Sequence, residues 1–474
     1  MSETNITFNN IPASIRVPGN YTEYDVTGAV TALPVNPQEV LIIAPQTLDL
    51  NGASYSAPVK VYSDTEAATA FGAGSLAHLM VRQALKNNAN MNLTVVGLAD
   101  HSAGVVAEGA IQVSGTASTA GVLTLVIMGT KYAISTSKGE VAADIARRLN
   151  AYINAQEASP VVAKVSGDTI TLTAKNKGET GNEISLSYTN TATGVSLTIT
   201  PMANGQQNAD MTDALASVAG THYNIIVSPF VDTDNANALK EHLEAVSAPT
   251  AKKPAIGVMG WRKTLATGTT FTSTLNFERL TVAWYKGCIE PCALIAAGYA
   301  AIIASEEDPA RPLNTLAVKG LSLVDDSQIP TWAEYNQALY NGLSPLNIVN
   351  STVQIMRAIT TYTKSATGVD DPSYLELGTI RSLDYGRKAI EQRLALRFGR
   401  SKLVKAKTPS AVRSEILDVM YRLENAEIWQ SVDANKAKLI CTINAQDDTR
   451  IDSEVPADVV KGLHVLATKV MLVS

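Results

Sequence analysis

The pattern that most restricts how this 474-residue chain folds is a strand, helix, strand succession that breaks off near Asp100 and resumes after Gly205. EVLIIA from Glu39 reads as a buried strand, EAATAFGAGSLAHLMVRQALKNN as a helical region and NLTVVGL from Asn92 as a second buried strand. Strands that are apolar along their whole length and joined by helices belong to a parallel sheet covered on both faces. The alternation returns in NIIVSPF, TDNANALKEHLEAVSA, PAIGVMG, TVAWYKG and CALIAAGYAAIIASE. Between about Ala103 and Met202 the chain changes character. Short β-rich runs such as VLTLVIMG and TITLTA alternate with Gly, Asn, Ser and Thr, interrupted by EVAADIARRLNAYINA, which spaces Val141, Ile145, Leu149 and Ile153 for the apolar face of a helix. A mixed, multidomain fold is therefore expected, α/β with α+β parts: a discontinuous α/β body (26–100 and 205–330), an inserted β-rich domain (101–204) and a C-terminal α+β domain (331–461).

The composition agrees with such an architecture. Hydrophobic residues make up 46% of the chain and aromatics only 5%, so the core must be built from Ala, Val, Ile and Leu. A net charge of −6 with a pI near 5.5 argues against nucleic acid or an anionic membrane as the main partner. Cys288, Cys292 and Cys441 are too few for a disulfide framework in so long a chain, which fits assembly in a reducing cytoplasm. Cys288 and Cys292 stand one helical turn apart with no second Cys or His pair nearby, and read as small buried side chains. MSETNITFNN lacks the charged start and apolar run of a secretory signal, and the longest apolar runs fall short of a bilayer span, so no membrane insertion is expected.

Chemistry is hard to find. His78, His101, His222, His242 and His464 lie far apart without motif partners. DTDNAN at Asp232 starts like a calcium loop, but Ala236 and Asn237 replace a ligand and the required glycine, so Asp232 or Asp234 reads as a helix N-cap. FGAGSLAHL at Phe71 lacks the third glycine and the Lys-Ser or Lys-Thr of a phosphate loop, and Gly72 and Gly74 read as a turn between helical pieces. Ser228 ends a strand, yet no G-x-S-x-G surrounds it. An α/β hydrolase-like enzyme thus rests on that serine and the mixed fold alone, and no cofactor or metal is expected.

The two ends and one basic segment carry what remains. GLHVLATKVMLVS, from Gly462 to Ser474, is apolar, free of proline and able to extend about 40 Å as a strand. A strand at a free terminus either returns to its own sheet or offers unpaired N–H and C=O groups to another chain. Residues 1–25, with Pro12 and Pro18 around ASIRV, read as an extended arm. Ile380 to Arg413 holds ten Lys or Arg against two acids, and Arg393, Arg397 and Arg400 share a helix face. Such a face is either simply solvated or a docking surface for an acidic partner; nucleic acid is the rival occupant.

TWAEYNQALYNGLSPLNIVNSTVQIMRAITTYT, Thr331 to Thr363, resembles the start of the C-terminal domain of contractile phage tail sheath proteins, nearest the Mu-like branch, through Leu339–Gly342 and Arg357–Tyr362. PADVVKGLHVLATKVML is similar to that family's closing segment, IPASIRVPGNYTEYD to its N-terminal arm, and the insertion with TAKNKGETGNEISL to the outer domain of Mu-type sheaths. The resemblance implies a structural subunit, not an enzyme, with its C-terminal domain completed by strands exchanged between subunits. It implies exchange residues Ile15 and Val17 in one arm and Leu463, Val465, Ala467, Lys469, Met471 and Val473 in the other, with hinges at Gly19–Tyr24 and before Gly462. The expected partners are further copies in a helical homo-oligomer of stacked rings, an inner tail tube protein, and baseplate and tail terminator proteins. Arg393, Arg397 and Arg400 become tube-facing candidates. The chain would assemble in a host bacterial cytoplasm, reside in the virion tail and contract to drive the tube through the host envelope for genome delivery; a phage-derived injection device or bacteriocin sheath is the alternative.

Overall fold

A computed structural model describes residues 14–23 and 33–472. They group into two compact units, one of residues 36–384 with the chain from Val459 onward, the other of the N-terminal residues to Val35 with Tyr385–Asp458.

In the larger unit β1 (Glu39–Pro45) leads through a short β2 (Val59–Lys60) to α1 (Asp64–Phe71), α2 (Leu76–Asn87) and β3 (Asn92–Leu98). Ser63 and Ser75 cap the two helices, and Gly72 and Gly74, at φ +88° and +77°, make the turn between them that side chains with a Cβ resist. The chain then leaves the sheet. β4 (Val106–Gly115), β5 (Gly121–Ile127), β6 (Thr130–Thr136), α3 (Ala142–Ala155), β7 (Val161–Ser166), β8 (Thr169–Lys177), β9 (Leu186–Asn190) and β10 (Val195–Ala203) form two antiparallel sheets, ordered β10-β4-β8-β7 and β6-β5-β9. On α3, Ile145, Leu149 and Ile153 are buried as their spacing requires. Val141 is not. It is the N-cap residue, its backbone already extended, and its side chain is exposed.

The body resumes with α4 (Thr212–Val218), β11 (Ile225–Val227), α5 (Thr233–Ser247), β12 (Ile256–Trp261), α6 (Leu265–Leu275), β13 (Leu280–Trp284), α7 (Cys292–Ser305), α8 (Trp332–Tyr340) and the hairpin β14 (Ser344–Val349) and β15 (Thr352–Ile355). Asp232 caps α5 by accepting from the Asn235 N–H. The eight-stranded sheet runs β15-β14-β13-β12-β11-β1-β3-β2, parallel except at its two edges. Successive side chains of one strand supply opposite faces: Val40 and Ile42 enter one core cluster, Leu41 and Ile43 the other. α7 is buried from Cys292 to Ala304 because it is apolar on every side. A Cβ on Gly260 of β12 would meet Cys292 O at 2.2 Å, so helix and sheet approach to backbone distance, and one on Gly298 would meet the Gln83 side chain of α2 at 2.9 Å.

The C-terminal domain expected from Thr331 starts later than that. Ala283 and Trp284 of β13 pair with Ser344 and Pro345, so the β14–β15 hairpin is the continuation of the larger sheet. α9 (Leu377–Phe398) belongs to the larger unit up to Asp384 and to the smaller one from Tyr385. The smaller unit adds α10 (Thr408–Asn425), α11 (Val432–Asn435), β16 (Ile440–Ile443) and β17 (Ile451–Glu454).

Candidate assembly surfaces

The spacing of valine, isoleucine, methionine and leucine on α10 buries Val412, Ile416, Val419, Met420 and Leu423. β16 follows this helix closely: Arg413 Nε donates to Leu439 O at 2.9 Å and its Nη2 to Lys436 O at 2.7 Å. β16 and β17 pair antiparallel, from Ile440 opposite Glu454 to Ile443 opposite Ile451. Among the described residues neither strand has a second neighbour, so each offers a free edge. Two strands alone are marginal in water, and Ile440 is 49% exposed.

The C-terminal segment has the opposite character, an edge without a sheet. Leu463, Val465, Ala467, Lys469 and Met471 are exposed, Leu472 reaches 98%, and Val473 lies outside the described residues. None of its described residues pairs as a strand. The N-terminal segment is alike: Ile15 and Val17 are exposed, and Tyr21 closes a local contact by donating its hydroxyl to Val17 O at 3.1 Å. Of the expected hinge Gly19–Tyr24, Tyr24 lies outside the described residues.

The basic face is divided differently from the expectation. Arg393 is 6% exposed and donates to Glu415 Oε2 at 3.0 Å and Asp418 Oδ2 at 2.7 Å, both on α10. Arg397 Nε lies 3.5 Å from Glu415 Oε1 and remains partly exposed, and Arg400 is exposed. Burial works against the charge of Arg393, but the two carboxylates outweigh it and raise its pKa. Burial would raise Asp418 in turn, and Arg422 and Arg393 hold it below the usual carboxylate range. Arg393 is thus a tie between α9 and α10, not a group offered to a partner. The sequence shows the basic run but not that the acids of α10 fold back onto it.

The residues that invited an enzymatic reading are occupied. Ser228 is buried, its Oγ accepting from Phe230 N–H at 3.1 Å and lying 3.3 Å from Met211 Sδ. Cys288 and Cys292 are buried beside Glu290 and Glu183, with thiols 3.1 and 3.2 Å from the carboxylates. Burial pushes both thiols well above their ordinary pKa, which makes them poor nucleophiles. Glu183 does structural service that sequence reading missed: it accepts from Cys292 N–H at 2.7 Å, at the N-terminus of α7, and so fastens the insertion to the body. Among the described residues no group of His, Cys, Asp and Glu is arranged to hold a metal, and no helix is long and apolar enough to cross a membrane.

Comparison with known proteins agrees with this picture. Residues 204–361 match the phage tail sheath protein central domain, and residues 369–472 the phage tail sheath C-terminal domain. The tail sheath protein of a Mu-like prophage of Haemophilus influenzae is 35% identical over 467 residues, covering 94% of this chain and 95% of that one. Among solved structures, a sheath tail protein of Desulfitobacterium hafniense superposes with a TM-score of 0.51 at 14% identity, covering 94% of this chain and 97% of that one. The helical sheath of the anti-feeding prophage in its contracted state gives 0.50 at 12% identity, covering 96% and 99%. Fold and relatives together define a structural protein of a phage tail. The chain belongs to the phage tail sheath family. It is a structural subunit of a contractile sheath and a component of the virion tail.

Proposed function

We infer that this subunit polymerises into a helical cylinder by exchanging its terminal arms, and that the β16–β17 hairpin is the acceptor. One observation carries the reading: among the described residues the same chain holds a two-stranded sheet with free edges and extended ends, the C-terminal one apolar, with no strand partner of their own. An arm that adds a strand to a neighbour's hairpin satisfies the backbone groups of both, at about 1 kcal/mol per net hydrogen bond. A donor and an acceptor on one chain make a head-to-tail contact, which propagates as a helix instead of closing. The cylinder surrounds an inner tail tube, with baseplate and terminator proteins at its ends, and is assembled in the host cytoplasm. Contraction then moves subunits as largely rigid bodies while exchanged strands persist, driving the tube through the host envelope for genome delivery. The 35% identity to a prophage tail sheath favours a phage tail over an injection-device sheath.

Deleting residues 465–474 tests this. In negative-stain microscopy the full-length chain should form hollow helical cylinders, and the truncated chain should stay monomeric with an unchanged melting temperature. Cylinders from the truncated chain would overturn the exchange.

A further inference from the structure

The exposed C-terminal arm does not begin where the sequence suggested. A hinge was expected before Gly462, but the chain there is held on its own protomer. Val459 is buried, and a Cβ on Gly462 would meet Pro312 Cγ at 2.5 Å. His464 supplies the fastening. Its Nε2 lies 3.2 Å from Glu376 Oε2, and its Nδ1 lies 2.9 Å from Asn314 Nδ2. An amide nitrogen only donates, so Nδ1 accepts and the ring proton sits on Nε2, directed at Glu376. Glu376 is itself fixed by Arg357, whose Nε donates to Oε1 at 2.9 Å. Burial would raise the Glu376 carboxyl, but His464 and Arg357 hold it below its usual range. Asn314 Oδ1 is buried with no partner among the described residues.

Beyond His464 the contacts stop: its side chain is 14% exposed, whereas Val465 and every described residue after it are exposed. Nothing in the local sequence marks this step, because the partners lie at positions 314, 357 and 376.

We propose that His464 is a positioning residue that clasps the root of the C-terminal arm and thereby sets its reach. The proposal rests on the arm-exchange reading and adds a length to it. Clasped, the arm is free from Val465 onward, and the ten residues from there to Ser474 would span about 33 Å extended. Released back to Val459, it gains residues 460–464, about 16 Å more. The arm is a linker with two lengths, and the clasp selects between them as neighbouring subunits change their spacing.

Trypsin reads the clasp directly, because cleavage needs several consecutive residues to detach. Lys461 lies between buried Val459 and clasped His464, whereas Lys469 lies in the free arm. In the dilute full-length chain Lys469 should be cut at least tenfold faster than Lys461. His464→Ala should bring the two rates within about twofold while the melting temperature stays in place. His464→Gln, whose amide can still bridge Glu376 and Asn314, should restore the wild-type ratio. If His464→Ala lowers the melting temperature, Asn314→Ala, which removes one partner only, should shift the ratio the same way. Equal cleavage at both lysines in the wild type, or an unchanged ratio in both variants, would overturn the clasp. These rates are measured on unassembled chain, so they stand apart from the truncation result, which alone decides whether arms are exchanged.

Discussion

The large parallel sheet and the β16–β17 hairpin reach opposite outcomes. β1 lies between β11 and β3, both faces covered, with Val40 through Ala44 fully buried. The hairpin has one covered side, where α10 packs, and, among the described residues, two bare edges. A strand completed by its own chain contributes to monomer stability. One left incomplete contributes almost nothing until a neighbour supplies the missing strand. On the proposed exchange, the difference separates where this chain keeps its folding energy from where it keeps its capacity to assemble.

Trp284→Ala should have the largest effect on the monomer. Trp284 is fully buried in β13, with Nε1 donating to Lys263 O at 3.0 Å, and its loss should cost about 3–5 kcal/mol by chemical denaturation. A smaller effect is expected from acid. Burial lowers His242 on α5 to about 4, so between pH 6.5 and about 4 the unfolded chain binds a proton that the folded one refuses. Stability of the larger unit should therefore fall as the pH drops through that window, by about 2 kcal/mol after allowance for the ring's remaining solvent contact. His242→Gln should flatten the profile. Arg393→Met should cost about 1 kcal/mol, seen in the melting of the smaller unit, because Glu415 and Asp418 keep some solvent when their partner is removed. It should leave binding to any acidic surface unchanged once folded, whereas loss of such binding with stability intact would restore Arg393 to a docking role. Ile440→Ala should be the mildest, below about 0.5 kcal/mol in the monomer, yet it should raise the concentration needed for cylinders about tenfold. A destabilisation like that of Trp284→Ala would erase the contrast between sheet and hairpin.

Much of the architecture was legible because it follows from short-range pattern. Continuous apolar runs marked β1, β3, β11, β12 and β13, and the shift to Gly- and Thr-rich segments near Asp100 fell beside the start of β4 at Val106. Asp232 and the Gly72–Gly74 turn were readable from a few residues each, since caps and positive φ angles are local demands. All but one of the errors involve distant partners. Val141 fits a helical period but sits at the cap; Arg393 fits an exposed basic face but meets two acids of α10; the division at Thr331 passes over a ladder between β13 and β14.

The order of residues was enough to specify strands, helices, the inserted β-rich segment, an extended N-terminal arm and an apolar C-terminal end, because each depends on hydrophobic periodicity and turn chemistry within a dozen positions. Folding alone settled which of these found partners. Whether Arg393 is paired, whether β16 and β17 have neighbours and where the C-terminal arm leaves its protomer depend on side chains far apart in the chain, and no local pattern records their meeting.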